Sequence, residues 1–407
     1  MREDFQERLA GLEREGLRRT LRESAVRSGV RWETGGREVV GFASNDYLGL
    51  SGETFLREAM VRGVERWGVG AGGSRLISGT RPVHLELESA IAEWKGVEAA
   101  LSFSSGFATA LGVIPAMVGR GDAVILDGLS HASLVDGARL SGAEVRVFLH
   151  NRLDVLEEKL RSVRERGGVG RVLVVTESVF SMDGDEAPLR GIVELAERWG
   201  AMTLVDEAHA VGCVGFGGSG VVGREGLSGR VDVQMGTFSK ALGCQGGYVA
   251  GRRSVMDWMV NRARSFVYST AMIPALAGAV MASIAWVRGE AGEERRGRLA
   301  RVGEVFRSRF DSVLGGRLSG EARQSFLASG SAIIPLVLGA AADAVAVGER
   351  LLAAGYWVPA IRFPTVPQGM ARLRFSLSAL HEVEDLEGVV SACGADEIGC
   401  FPLAQPE

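Results

Sequence analysis

Met202-Thr203-Leu204-Val205-Asp206-Glu207-Ala208-His209 is a short apolar run that stops on two acids, with a histidine three residues after the first. A run of this length reads as one strand of a sheet buried on both faces. Six more runs of the same kind lie between about residues 85 and 250: Ala99–Phe103, Ala123–Leu126, Glu144–Phe148, Arg171–Val175, Val231–Met235 and Gly247–Ala250. Helix-like stretches separate them. The pattern predicts an α/β fold, a mostly parallel seven-stranded sheet flanked by helices. Such sheets place ligands outside the carboxyl ends of their strands. An acid ending a buried strand, as Asp206 does, is costly unless a cation meets it.

Other polar residues follow the runs at the same end. Ser104-Ser105-Gly106-Phe107-Ala108-Thr109 opens an apolar helix, and its N–H groups either receive an anion or make a plain N-cap. Asp127-Gly128-Leu129-Ser130-His131-Ala132-Ser133 brings a histidine that is structural or functional. Thr176–Asp185 is a turn-rich exit from a strand. Gly236-Thr237-Phe238-Ser239-Lys240-Ala241-Leu242-Gly243 carries one of only three lysines among 46 basic residues. Arginine replaces lysine on a solvated surface, but it cannot be deprotonated or form a Schiff base. Lys159 reads as part of a solvated helix face. Lys95 reads as a helix C-terminal cation before Gly96. Lys240 has different company. An amine facing a helix start and an Asp at neighbouring strand ends is the set that pyridoxal phosphate requires.

The composition narrows the field. Hydrophobic residues make up 46% of the 407, ample for a large core, and the net charge is −4. No basic block points to nucleic acid or an anionic membrane. Cys213, Cys244, Cys393 and Cys400 form no CxxC pair or zinc spacing and read as reduced thiols of a cytoplasmic protein; no metal site is expected. Met1–Arg22 lacks the apolar core of a signal peptide and reads as an amphipathic helix with Phe5, Leu9, Leu12 and Leu17. The apolar stretch Ala271–Val287 is short for a membrane span and reads as a buried helix. Gly215-Phe216-Gly217-Gly218-Ser219-Gly220 matches the dinucleotide pattern G-x-G-x-x-G, but no strand-to-helix context surrounds it and Val221–Arg230 reads as loop. The charged stretch Arg288–Arg301 marks a boundary. The expected organisation is an N-terminal segment over 1–50, a large α/β domain over 51–288 and a small α+β domain over 289–407. In the last, Ser331–Leu338, Tyr356–Ile361 and Ala371–Ser378 read as strands, the third half-exposed by its strict alternation. Ala342–Ala354 and Glu382–Ala392 read as helices.

Taken together these segments resemble the α-oxoamine synthases, pyridoxal-phosphate enzymes of fold type I. The resemblance extends through Phe42-Ala43-Ser44-Asn45-Asp46-Tyr47-Leu48-Gly49-Leu50, Gly70–Thr80, Tyr268-Ser269-Thr270, Pro364-Thr365-Val366-Pro367 and Ala371-Arg372-Leu373-Arg374. It implies roles. Lys240 would be the Schiff-base lysine and acid/base, Asp206 would pair with the pyridine nitrogen, and His209 would bond the phenolic oxygen. His131 would stack on the ring and help hold the substrate. Ser105, Gly106, Phe107, Ser181 and Thr237 would lie along the cofactor and its phosphate, with Thr270 reaching in from the second subunit of a homodimer. Asn45 and Arg362 would hold the amino-acid carboxylate, and Arg19 and Thr365 the acyl substrate, with Arg18 as a rival to Arg19. The family joins an amino acid to an acyl thioester, carried on coenzyme A or a carrier protein. Gly73–Gly79, Leu140–Ala143 with His150-Asn151, and Ala360-Ile361-Arg362 are most like the members that use alanine and a pimeloyl thioester. Arg152 and Ser178 depart from the pattern, which more often has Asp and Gly there.

Overall fold

The computed structural model describes residues 5–316, 323, 326–327 and 329–395. Three short strands come first, β1 (Ala25–Ser28), β2 (Arg31–Thr34) and β3 (Arg37–Gly41). Then follow β4 (Ala99–Phe103), β5 (Ala123–Asp127), β6 (Glu144–Phe148), β7 (Val172–Glu177), β8 (Met202–Asp206), β9 (Val233–Thr237) and β10 (Gly247–Gly251). The last are β11 (Ile333–Gly339), β12 (Tyr356–Trp357), β13 (Ala360–Ile361) and β14 (Ala371–Ser376). The described residues form two compact units. One comprises Leu50–Ser181 and Glu186–Arg296; the other takes the described residues of 5–49, 182–185 and 297–395.

The larger unit holds a seven-stranded sheet in the order β4-β10-β9-β8-β7-β5-β6. Each of the seven apolar runs is one of its strands. All neighbours pair in parallel except β10, which is antiparallel to both β4 and β9. The continuous apolar character of the runs follows from burial on both faces. Along β7, Leu173 and Val175 join one core cluster while Val172 and Val174 join another, and β5 divides in the same way. Helix Gly106–Met117 covers the first face and packs closely on helix Ala132–Ser141; a Cβ at Gly137 would stand 2.9 Å from the Ala110 carbonyl oxygen. Helices Leu153–Arg166 and Leu189–Arg198 supply Leu156, Leu160, Ile192 and Val193 to the second. Strands β7, β8 and β9 run on through the polar residue that follows each apolar run. Glu177, Asp206 and Thr237 are therefore the last residues of buried strands.

In the second unit β1-β2-β3-β12 form one sheet and β11-β14-β13 another. The N-terminal segment, read above as a separate piece, belongs to this unit because Val40 and Gly41 pair with Tyr356 and Trp357. Tyr356–Ile361, expected as one strand, is split by Val358-Pro359 into β12 and β13, which serve different sheets. The charged stretch Arg288–Arg301, expected as a boundary, contains the division at Arg296 and Gly297, which falls inside one helix spanning Glu290–Leu314. Val221–Arg224 is likewise a short helix. The N-terminal helix, Phe5–Arg14, buries no residue, and Leu17 lies beyond its end. No helix among the described residues is long and apolar enough to cross a membrane. Cys213, Cys244 and Cys393 form no disulfide; Cys400 lies outside the described residues.

Strand β14 corrects a further expectation. Its alternation predicts one exposed face, yet every residue is buried, Arg372 and Arg374 included. The polar face is satisfied from within the unit. Arg372 Nη1 bonds Asp183 Oδ1 at 2.5 Å and the Met182 carbonyl at 3.2 Å, and Arg374 Nη1 bonds Asn45 Oδ1 at 3.1 Å. On the apolar face Phe375 packs with Phe42, Phe306 and Phe310. Asp183→Ala leaves the Arg372 guanidinium buried without its carboxylate, and removing one partner of a buried pair costs about 3 kcal/mol. Urea unfolding should show that loss; an unchanged midpoint and slope would contradict this account of β14.

Candidate active site

Because β4, β5, β7, β8 and β9 are parallel, their carboxyl ends lie along one edge of the sheet, and the residues there enclose a cavity of about 230 Å³. Its wall contains Ser105, Gly106, Phe107, His131, Asp206, His209, Thr237 and Lys240. Each reaches it for a local reason. Ser105 caps helix Gly106–Met117 by accepting the Ala108 N–H at 3.0 Å, which leaves earlier N–H groups of that helix start without intrahelical partners. Thr237 ends β9; its hydroxyl lies 2.7 Å from the Gly246 carbonyl it donates to. Lys240 follows on the turn after β9. Asp206 ends β8 with Oδ1 accepting the Ala208 N–H at 2.9 Å. Burial pushes its carboxyl pKa up while Lys240 and His131 oppose the shift, so the site favours a cation beside it.

His131 caps helix Ala132–Ser141. Its Nδ1 accepts the Ser133 N–H at 3.2 Å and lies 2.8 Å from Ser133 Oγ. Burial lowers the pKa of this ring, with Asp206 pulling the other way, so the imidazole is neutral with its proton on Nε2. The remaining expected residues are placed differently. Ser181 is buried but is not among the cavity-lining residues, and Thr270 is exposed and forms an isolated bridge with Ser74. Glu177, Ser133, Met235, Gly236 and Ser239 line the cavity without having been expected there. Glu177 carries the same sequence signal as Asp206, an acid closing an apolar run, with a turn-rich segment directly after it. Of the two departures, Ser178 is fully buried yet outside the cavity wall, its Oγ without a hydrogen-bond partner among the described residues. Arg152 is exposed and pairs with Asp154.

In the other unit Arg19, Arg362 and Thr365 come together. Arg19 Nη2 is 3.2 Å from the Phe363 carbonyl, and 3.4 Å from both the Arg362 carbonyl and Thr365 Oγ1. Arg18 turns instead to Glu13, at 2.6 Å. Arg18, Arg19, Arg22 and Arg362 line a cavity of about 740 Å³ in this unit. Asn45 Oδ1 accepts from Tyr47 Oη at 3.1 Å as well as from Arg374.

The architecture is that of the fold type I enzymes that depend on pyridoxal phosphate, and the chain belongs to the aminotransferase class I and II family, whose model matches residues 37–392. Within that family it falls among the α-oxoamine synthases. An 8-amino-7-oxononanoate synthase of Geobacter sulfurreducens is 44% identical over 384 residues, covering 94% of this chain and 95% of the relative. One of Herminiimonas arsenicoxydans is 41% identical, covering 97% and 99%. Among solved structures, the serine palmitoyltransferase of Sphingomonas wittichii superposes with a TM-score of 0.87 at 33% identity, covering 98% of each chain. A serine palmitoyltransferase solved with pyridoxal phosphate gives a TM-score of 0.87 at 30% identity, over 97% of this chain and 98% of that one.

Lys95 is the clearest correction within the larger unit. Lys95 does end its helix, with Gly96 after it in the left-handed conformation, but its side chain is 1% exposed and serves more than the helix end. Its ammonium bonds Glu207 and the Ser219 carbonyl. Glu207 Oε1 accepts the Val222 N–H at 2.9 Å. The G-x-G-x-x-G stretch is the shell around this pair. A Cβ at Gly220 would stand 2.5 Å from the Glu207 carboxylate, and Trp94 Nε1 donates to the Gly217 carbonyl at 2.8 Å. The glycines thus admit a buried ion pair, a role quite unlike dinucleotide binding. Lys95→Met leaves Glu207 charged and enclosed, at a cost of about 3–5 kcal/mol, whereas adding Glu207→Gln should recover much of it. Denaturant unfolding of the two singles and the double reads this; additive losses would contradict the pairing.

Proposed function

We propose that this chain binds pyridoxal 5′-phosphate in the cavity at the strand ends and condenses L-alanine with a pimeloyl thioester. The products are 8-amino-7-oxononanoate, carbon dioxide and the free thiol, a step of biotin biosynthesis. The observation that carries the cofactor reading is the cavity itself, where one amine, one buried acid, a neutral imidazole and a helix start meet. The donor set fits. Asp206 favours a cation, as a protonated pyridine nitrogen is, and the N–H groups around Gly106 and Phe107 suit a phosphate. The choice of alanine and pimeloyl thioester rests on the relatives at 41–44% identity that bear the corresponding name.

When bound, the cofactor supplies the electron sink that stabilises charge at the amino-acid α-carbon. Lys240 Nζ anchors it and then takes and returns the proton at that carbon. Asp206 keeps the ring nitrogen protonated, and His209 donates to the phenolic oxygen. His131 would lie against the ring, its imidazole able to give one hydrogen bond from Nε2. Ser105, Gly106, Phe107 and Thr237 would orient the ring and its phosphate from the cavity wall, Ser181 would support them from behind it, and Thr270 of a second copy would add a contact in a homodimer. Asn45 and Arg362 receive the amino-acid carboxylate, and Arg19 with Thr365 the acyl chain. The acyl donor is carried on coenzyme A or a carrier protein.

Two measurements test this reading. Product analysis with alanine, glycine and serine against pimeloyl, succinyl, acetyl and palmitoyl thioesters should yield 8-amino-7-oxononanoate as the main product. A long-chain ketosphinganine or aminolevulinate would move the chain to another α-oxoamine synthase activity. Lys240→Arg keeps the charge but cannot anchor an aldehyde, and turnover should fall by about a thousandfold or more. Retained turnover would remove Lys240 from this role.

A further inference from the structure

Glu177 is a buried acid in the cavity wall that the reading above leaves without a task. It ends β7 directly beside Asp206 at the end of β8, the two residues being register partners in adjacent parallel strands. Neighbouring strands lie about 4.8 Å apart and register partners share a face, so the two carboxyls stand side by side. Both residues are almost wholly buried and both line the cavity. The one amine in that wall is Lys240. Glu177 also makes a contact that Asp206 does not: its Oε1 accepts the backbone N–H of His131 at 2.6 Å. That bond ties the turn after β5, and with it the imidazole, to the end of β7.

We propose that Glu177 is a positioning residue that works as a neutral acid, fixing the His131 backbone through Oε1 while leaving Asp206 as the single anion beside the ring site. The geometry accounts for both halves. Two adjacent carboxylates repel each other in a buried site, and a shared proton goes to the acid with the less favourable charged surroundings. Asp206 faces Lys240 and the His131 imidazole and accepts an N–H from Ala208; Glu207, the acid that opposes its charge, is itself paired with Lys95. Glu177 faces Asp206 and Asp127, which repel its charge, against Lys240 and the His131 N–H, which favour it; His209 is the remaining titratable group of the cavity wall. Burial first, then Asp206, raises the Glu177 carboxyl to about 8. A protonated acid retains one oxygen to accept from His131, and its hydroxyl can donate into the cavity.

The inference rests on the cofactor reading, so its test separates the two. Glu177→Gln carries no charge and keeps an oxygen for the His131 N–H, while Glu177→Leu keeps neither. In the cofactor-loaded protein the pH midpoint of the visible band should move by no more than about 0.3 unit in the Gln variant, because no charge has been lost. A fall of about one unit or more would show that an anion had been removed and would overturn the neutral assignment. For positioning, kcat/KM for the amino acid should drop about tenfold in the Leu variant and be largely rescued by Gln. Equal losses in the two would overturn it. Thermal unfolding of the full chain gives a reading independent of the band. An acid whose pKa rises from 4.5 to about 8 on folding stabilises the fold fully below 4.5 and progressively less as pH climbs through 8. The Gln variant should therefore gain stability relative to the parent between those values. A constant difference would count against the inference even if the band behaved as expected. Absence of any visible band in the parent would defeat the cofactor reading, and a pH-dependent difference in unfolding would still identify a neutral Glu177.

Discussion

Asp206 ends the buried strand β8 and Glu207 follows it, and both charges have to be met inside the protein. Side chains alternate across a strand, so the consecutive acids Asp206 and Glu207 point apart. Glu207 turns to Lys95, inside a glycine-rich shell that lets the backbone close over the pair. Asp206 turns into the cavity and finds Lys240 and His131. One acid is thereby neutralised permanently, and the other stays open to a cation brought by a ligand. That division of labour lets the sheet end be both a structural anchor and a binding site.

The rest of the larger unit serves to hold those strand ends still. Two apolar clusters grip the sheet from both faces, fixing the register in which Glu177 stands opposite Asp206. Helix starts at Ser105 and His131 are pinned by their own caps, which sets the N–H groups and the imidazole without any contribution from a ligand. A site prepared in this way needs little rearrangement when it is filled, and orientation is much of what a protein adds to cofactor chemistry.

Much of this was legible in the sequence, because the runs that build the sheet carry their burial in their composition and the residues of the site follow them at one end. Asp206, His209, Thr237 and Lys240 could be located before any coordinates because short strands and short turns leave little freedom. The misreadings share a cause. Lys95 reads as a cation for its helix end and Arg372 as part of an exposed strand face, yet both are buried because a partner far away in the sequence meets them: Glu207 for Lys95, Asp183 for Arg372. Helical spacing and strand alternation report local periodicity, and they carry no information about a long-range ion pair. The split of Tyr356–Ile361 between two sheets belongs to the same class, since pairing with Val40 and Leu373 decides it. Glu177 was within reach, because the rule that singled out Asp206 applies to it equally.

The proposed chemistry requires that Lys240, alone among the three lysines, present its amine to the cofactor. Borohydride reduction of the purified protein followed by peptide mass mapping tests it directly. The account predicts a cofactor-derived mass on the peptide containing Lys240 and unmodified peptides for Lys95 and Lys159. A label on either of those two, or none at all on a protein that shows the visible band, would contradict it.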